Sequence, residues 1–403
     1  MIRFIHAADL HLDTPFRGLE QTSKRLAEKL REAPFESFAR IMDVAIDKQV
    51  DFVLLSGDLY NTKRVNIKAQ SLFIEQLNRL AKEKIPVYLI RGNHDYLTEE
   101  SKTLALPFPE NVRTFGPKVE THILNTKNNE RVAISGFSYE SQWVTERKIK
   151  DYPTKRPDVN LHIGMLHGDI ETSLTREANY APFTVRELRE KNLDYWALGH
   201  VHQRQQVSVE PLAEYPGNIQ GLHKNETGEK GCLFVEWTPR EQKVEFIQTA
   251  PVIWETIGLS LSDIKNISEF LETLKDQISK NSHSQDVLVH LNITADTDSE
   301  EELISFIQEK EFLEQLSRQL GFDNVWIASV DLVMQEVSNQ QALEHIYPEE
   351  WDLMLGKLEK PGAFNMITEN IFSQIPTRYL NETNSEEYRK EIIQKAIAKL
   401  YLK

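Results

Sequence analysis

Five separate apolar segments of this chain end in the same kind of polar residue, and that recurrence limits what it can fold into. Asp9 and His11 follow the run from Met1 to Ala8, and Asp58 follows Phe52 to Leu55 through Ser56-Gly57. Asn93, His94 and Asp95 follow Pro86 to Ile90, His167 follows Leu161 to Leu166, and His200 and His202 follow Asp194 to Leu198. Apolar runs this short read as buried strands. Residues two apart on a strand share a side, so Asp9 and His11 are expected to project together. An α/β sheet carries its ligands at the carboxyl ends of its strands, where all five groups stand.

Between these ends the chain alternates. A helical pattern from Pro34 to Lys48 sets Phe35, Phe38, Ile41, Met42, Ala45 and Ile46 on one side, and 66–84 is amphipathic at helical spacing. Strand, helix, strand at these lengths marks α/β units. The polar stretch 141–160 reads as a mobile loop, and Gly231–Trp237 with Lys243–Gln248 as paired strands without evident chemistry.

From residue 251 the organisation restarts. Strands are expected over 252–261, 286–293 and 325–334, and helices over 262–279 and 299–320. Val287, Val289, Leu291 and Ile293 share one face of the middle strand, which leaves His290 as a solvated histidine on the other. Residues 338–403 read as helical, broken at Pro348, Pro361 and Pro376. Beyond the polar stretch LNETNSEE, Tyr388, Ile392, Ile393, Ala396, Ile397, Leu400 and Tyr401 form one apolar stripe. The expected domains are 1–250, 251–337 and 338–403.

Charge narrows the choice of partners. The first 250 residues are close to neutral, so nearly all of the net −15 lies in the remainder. Such a chain does not coat itself indiscriminately with nucleic acid. DNA, if it is the substrate, is held by local groups in the first part or with a partner's help. The single cysteine, Cys232, excludes an intrachain disulfide and fits a reducing cytoplasm. No run is long enough to span a bilayer, and the N-terminus lacks a signal-peptide pattern.

Asp9, His11, Asp58, Asn93, His167, His200 and His202 are thus candidate ligands. Carboxylate oxygen with imidazole nitrogen suits divalent first-row metals. Seven such groups exceed what one ion takes with room for water, which implies two ions and a bridging carboxylate. Asp58 is the natural bridge. Several of the groups carry glycine beside the polar residue, which lets the backbone turn sharply and approach a ligand.

Taken in order, Asp-x-His, Gly-Asp, Gly-Asn-His-Asp, His-Gly and Gly-His-x-His resemble the motifs of the calcineurin-like metallophosphoesterase superfamily. Within it, FIHAADLHLDTPF, the GDLY box and YPGNIQG…ETGEKGCLFVE look most like the SbcD/YhaO branch, bacterial relatives of the nuclease subunit of the double-strand-break repair complex. The motif match covers 1–237. The resemblance implies a four-layer sandwich of two mixed β-sheets flanked by helices, a small α/β capping domain and a helical C-terminal tail.

It also implies a dinuclear-metal-dependent phosphodiester hydrolase acting on DNA, an exonuclease or endonuclease. The alternative from another class is a phosphatase or cyclic-nucleotide phosphodiesterase with the same centre. Asp9, His11 and His202 are implied to hold one ion with Asp58, and Asn93, His167 and His200 the other. Manganese is the expected metal, with magnesium, iron(II) and zinc as alternatives. His94 matches the family's catalytic histidine, with Asp95 expected to orient its ring. Some members carry a histidine three residues after the bridging aspartate, where it helps handle DNA. Asn61 stands there in this chain, so phosphodiester hydrolysis is a firmer expectation than exonuclease action. Arg17, Lys63, Arg64, Arg91 and Arg204 flank the motifs and join Asn61 as candidate DNA contacts. The implied partner is an SMC-like coiled-coil ATPase of the SbcC/YhaN type bound through the C-terminal helices, with a second copy of the chain as a further candidate.

Overall fold

The computed structural model describes residues 1–14, 24–61, 67–98, 106–171, 180–280, 285–296, 299–309 and 312–334, with scattered positions between 356 and 393. Two compact units emerge. The first comprises Met1–Ile257, Lys275–Leu291 and Leu313–Val330, and the second Gly258–Leu274, Asn292–Phe312 and Asp331–Lys403.

The first unit is built on two six-stranded sheets. In one, β1 (Ile2–Ala7), β2 (Phe52–Ser56), β3 (Val87–Ile90) and β4 (Val112–Thr114) run parallel, and later strands join antiparallel beyond β1. The other sheet begins with the hairpin of β5 (Glu120–Asn125) and β6 (Arg131–Gly136), then continues through β7 (Leu161–His167) and β8 (Tyr195–Gly199) in parallel. It closes with β9 (Gln205–Ser208) at the edge and β10 (Leu212–Tyr215) beside β8, while β11 (Gly231–Trp237) and β12 (Gln242–Gln248) complete the first sheet.

Each strand sends alternate side chains to opposite faces. Phe4, Phe52, Leu54 and Ile90 meet Ile134, Ile163, Met165 and Tyr195 between the sheets. Ile5, Ala7, Val53 and Leu55 pack instead under α1 (Lys24–Asp47) and α2 (Ile67–Lys82) through Phe38, Ile41, Phe73 and Leu77. On the far side, Trp196 and Leu198 pack with Leu188 of the helix Val185–Lys191, whose start is closed by a Thr184–Glu187 capping box. Helix, sheet, sheet, helix is the four-layer sandwich expected from the motifs.

Four local expectations are corrected. Helix α1 begins ten residues before Pro34 and carries that proline inside it. Leu26, Leu30 and Ala33 bury against Val252, Trp254, Leu288 and Ala328, and this burial outweighs the proline's usual breaking effect. Segment 141–160 is pinned, since Val144, Ile149 and Tyr152 enter the core around a 3₁₀ turn, Lys148–Asp151. A third sheet follows the order β13 (Val252–Ser260), β14 (Asp286–Ala295) and β15 (Val325–Met334). Strand β14 is buried on both faces, so His290 is not solvated: it is 7% exposed and its Nδ1 lies 2.9 Å from Ser329 Oγ. Finally, 299–320 forms two helices, Glu301–Gln308 and Phe312–Leu320, in place of one.

Candidate metal centre

The centre is assembled at the carboxyl ends of β1, β2 and β3 of one sheet and β7 and β8 of the other. Strand parity does not place Asp9 and His11, because β1 ends at Ala7 and both residues have left-handed backbone, with φ of 53° and 44°. Asp58 (φ 50°) and His200 (φ 103°) are left-handed too. Non-glycine residues avoid this region unless their surroundings hold them there, and such strain gathers at functional sites. Here the holding is main-chain lacing. The amides of Asp9, His11 and Leu12 donate to the carbonyls of Gly57, Asp58 and Leu59 at 3.0–3.1 Å. The His200 amide donates to both oxygens of Asp9, at 3.0 and 3.1 Å.

Two groups of ligand atoms result. One is Asp9, His11 and His202; the other is Asp58, His167 and His200. Asn93 joins the second, its Oδ1 lying 3.0 Å from His167 Nε2 and 3.1 Å from His200 Nδ1. Asp58 Oδ2 lies between the groups, 3.4 Å from His167 Nε2 and 3.9 Å from His11 Nε2, which is where a bridging carboxylate must be. Glycine is required at the walls. A Cβ on Gly57 or Gly92 would strike the His167 ring, and one on Gly199 would strike the carbonyl of Ser56.

The remaining ring nitrogens are held from behind. His167 Nδ1 donates to Ser56 O at 2.9 Å, His200 Nε2 meets Asp169 Oδ1 at 3.1 Å, and His202 Nδ1 meets Glu226 Oε1 at 2.5 Å. Carboxylates and carbonyls in this position fix which nitrogen faces a metal. Asp169 and Glu226 are absent from the sequence-derived set. Asp169 had a local signal, two residues after His167, whereas Glu226 reaches His202 from a loop 24 residues on.

The donor set fits divalent cations. His11 Nε2 and His202 Nε2 face each other at 3.0 Å. Two nitrogens each about 2.1 Å from one cation at a right angle stand about that far apart. His11 Nδ1 is buried without a hydrogen-bond partner among the described residues, so that ring is not placed there by its other nitrogen.

Electrostatics point the same way. Burial pushes the Asp9 carboxyl above its ordinary range and the His11 ring down to about 3. Burial acts on Asp58 as it does on Asp9. There, the charge and hydrogen bond of His167, with His11 and His94, outweigh it and hold Asp58 well below the carboxylate range. Burial likewise opposes protonation of His167, yet Asp58 and Asp9 carry it up to about 9. In the absence of a cation the charge of Asp58 is met by protonating His167; divalent cations supply that positive charge in its place.

A sequence model of the calcineurin-like phosphoesterases matches residues 2–204. The chain belongs to this family. Metallophosphoesterase YhaO of Bacillus subtilis is 38% identical over 281 residues, covering 69% of this chain and 68% of that one. The calcineurin-like chain is also similar to two proteins named DNA double-strand break repair protein Mre11. That of Methanocaldococcus jannaschii is 24% identical, covering 68% of this chain and 73% of its own; that of Sulfolobus acidocaldarius is 23% identical, covering 69% and 72%.

The other sequence-derived residues divide. His94 is half-buried at the rim, its ring 5.2 Å from that of His11 and its amide donating to Asp58 Oδ1 at 3.0 Å. Asp95 does not orient that ring. Its two oxygens accept from the amides of Gly92 and Leu59, at 2.9 and 3.3 Å, because it closes the loop on itself from a buried position. Burial raises its pKa to about 7. Arg91 turns a guanidinium nitrogen onto the Asp95 carbonyl at 3.2 Å, and Arg204 lies exposed over the Phe246 ring at 4.1 Å. The Asn61 amide donates to Asp13 at 2.6 Å. Arg17, Lys63 and Arg64 lie outside the described residues.

Proposed function

We infer that this calcineurin-like phosphoesterase hydrolyses phosphodiester bonds of DNA. The observation that carries the reading is the joining of two ligand groups through Asp58 with His94 at the rim. Its extension to DNA is supported by likeness, over two-thirds of the chain, to proteins named for double-strand break repair.

Asp9, His11 and His202 would hold one cation, Asn93, His167 and His200 the other, with Asp58 available to both. Cations bound there, manganese as the expected choice, supply positive charge to a phosphoryl group and lower the pKa of a water. The chain's own groups do the rest. Asp169, Glu226 and the Ser56 carbonyl keep three rings turned toward the metal positions. His94 hands a proton to the leaving oxygen, the role of a general acid. The Asp95 carboxylate fixes the loop that presents His94.

In this reading residues 338–403, most of which lie outside the described residues, bind a coiled-coil ATPase in the cytoplasm through the apolar sequence stripe from Tyr388 to Tyr401. No helix among the described residues is long and apolar enough to cross a membrane. The decisive experiment incubates the purified protein and Asp58→Asn with manganese, end-labelled DNA and a chromogenic phosphodiester. DNA cleavage by the first and none by the second is expected. Hydrolysis of the chromogenic ester with DNA left intact would move the reading to small phosphoesters.

A further inference from the structure

A stack of aromatic rings leads from the metal centre to the surface. Tyr180 lies on His200 with ring centroids 4.6 Å apart and 39° between planes, and Trp143 lies on Tyr180 at 5.1 Å and 24°. Trp143 is 57% exposed although it is the largest apolar side chain type a protein can bury. An exposed large aromatic ring set in a rigid frame is more informative than a buried one.

The frame is rigid on both sides. Next to Trp143, Val144 is buried in the core and its carbonyl accepts from the Ala181 amide at 2.5 Å. The Tyr180 carbonyl accepts from Asp169 N at 2.8 Å, and Phe183 N donates to Asp169 O at 3.0 Å. Asp169 is also the residue that holds His200. The platform and the ligand it leads to are therefore tied together by hydrogen bonds that run through Asp169.

Among the described residues, the cations nearest Trp143 in sequence are engaged elsewhere. Arg147 is tied to Glu187 and Glu171, and Lys148 to Glu146. What this surface offers is a flat ring, which suits a base and not a phosphate. We propose that Trp143 and Tyr180 form a stacking platform for an unpaired nucleobase of a nucleotide flanking the scissile phosphate. In a duplex both faces of a base are covered by its neighbours, so the platform selects single-stranded or frayed DNA ends. This rests on the DNA reading above and goes beyond it in naming the strand state and the specificity-determining residues.

The test uses short single-stranded oligonucleotides, one of normal sequence and one carrying abasic nucleotides beside the central phosphate. Binding is read with calcium in place of manganese, by tryptophan fluorescence and by anisotropy of an end label. Stacking of one base is worth roughly 1–3 kcal/mol by alanine substitution, which is a loss of about 5- to 150-fold. Wild type is expected to bind the normal strand tighter than the abasic one by such a factor, and to lose part of its tryptophan emission on binding. Trp143→Ala should bind both strands alike, and Trp143→Phe, which keeps a ring, should recover most of the preference. Wild type that binds both strands equally, or a Trp143→Ala protein that keeps the preference, overturns the platform and leaves the DNA reading standing. Wild type that binds neither of these strands, nor a duplex of the normal sequence tested beside them, overturns both.

Discussion

At the scale of single residues, most of the centre could be read from short motifs because each motif joins a strand, a turn and a ligand within a few positions. Asp9, His11, Asp58, Asn93, His167, His200 and His202 all come together. The residues that sequence reasoning missed act on ligands from elsewhere. Nothing local to Glu226 marks it as the partner of His202, and Asp169 is understood only once His200 is seen turned toward it. Glu226→Gln keeps the side chain's size and removes its charge, so His202 loses its fixed orientation. A loss of 10- to 100-fold in manganese affinity is expected, read by titration calorimetry. Unchanged affinity would make Glu226 a structural residue of its loop, where it also accepts from Leu222 N and Asn218 Nδ2. His94→Ala should behave in the opposite way. It leaves the ligand atoms in place, so metal binding is kept, and turnover falls by about 10²–10⁴. A variant that lost a metal instead would make His94 a ligand.

At the scale of elements, periodicity shows which segments are helices but not how far tertiary burial extends them. Proline at position 34 reads as a first helical residue because its missing N–H costs nothing there. The structure adds ten residues upstream, where Leu26 and Leu30 find an apolar surface built from strands more than 200 residues away. A pattern search cannot see that surface. The same surface buries the second face of β14, which is why strict alternation misplaced His290. Leu30, 2% exposed, tests the point. Leu30→Ala should cost about 2–5 kcal/mol in urea unfolding, as large-to-small core changes do. A cost below about 0.5 kcal/mol would mean that the upstream turns of α1 contribute nothing to the core.

At the scale of the molecule, the two sheets are joined by polar ties as well as by apolar packing, and these ties make the fold sensitive to acid. His6 on β1 reaches across to β8. The Leu198 carbonyl can only accept, so His6 Nε2 carries the proton and donates to it at 3.0 Å, while Nδ1 accepts from the Tyr195 hydroxyl at 3.0 Å. Within the second sheet, His162 on β7 is fixed in the same neutral form, accepting from the Arg156 amide at 3.2 Å and donating to Ser135 on β6 at 2.9 Å. Burial pushes His6 down to about 3 and His162 to about 4. Between those values and the usual 6.5 the unfolded chain binds protons that the folded chain refuses. Stability is therefore full above 6.5 and is lost as the pH falls toward 3. One pKa unit is worth about 1.4 kcal/mol, so His6 alone costs about 2 kcal/mol between pH 7 and pH 5. His11, His167 and His202 are shifted as well, and a substitution separates the contributions. Gln at position 6 can donate and accept but takes no proton, so in chelator-treated protein His6→Gln should lose about 2 kcal/mol less than wild type over that interval. Urea unfolding at both pH values measures the difference. Equal losses in the two proteins would place the acid sensitivity at the metal centre and leave His6 as a spectator of it.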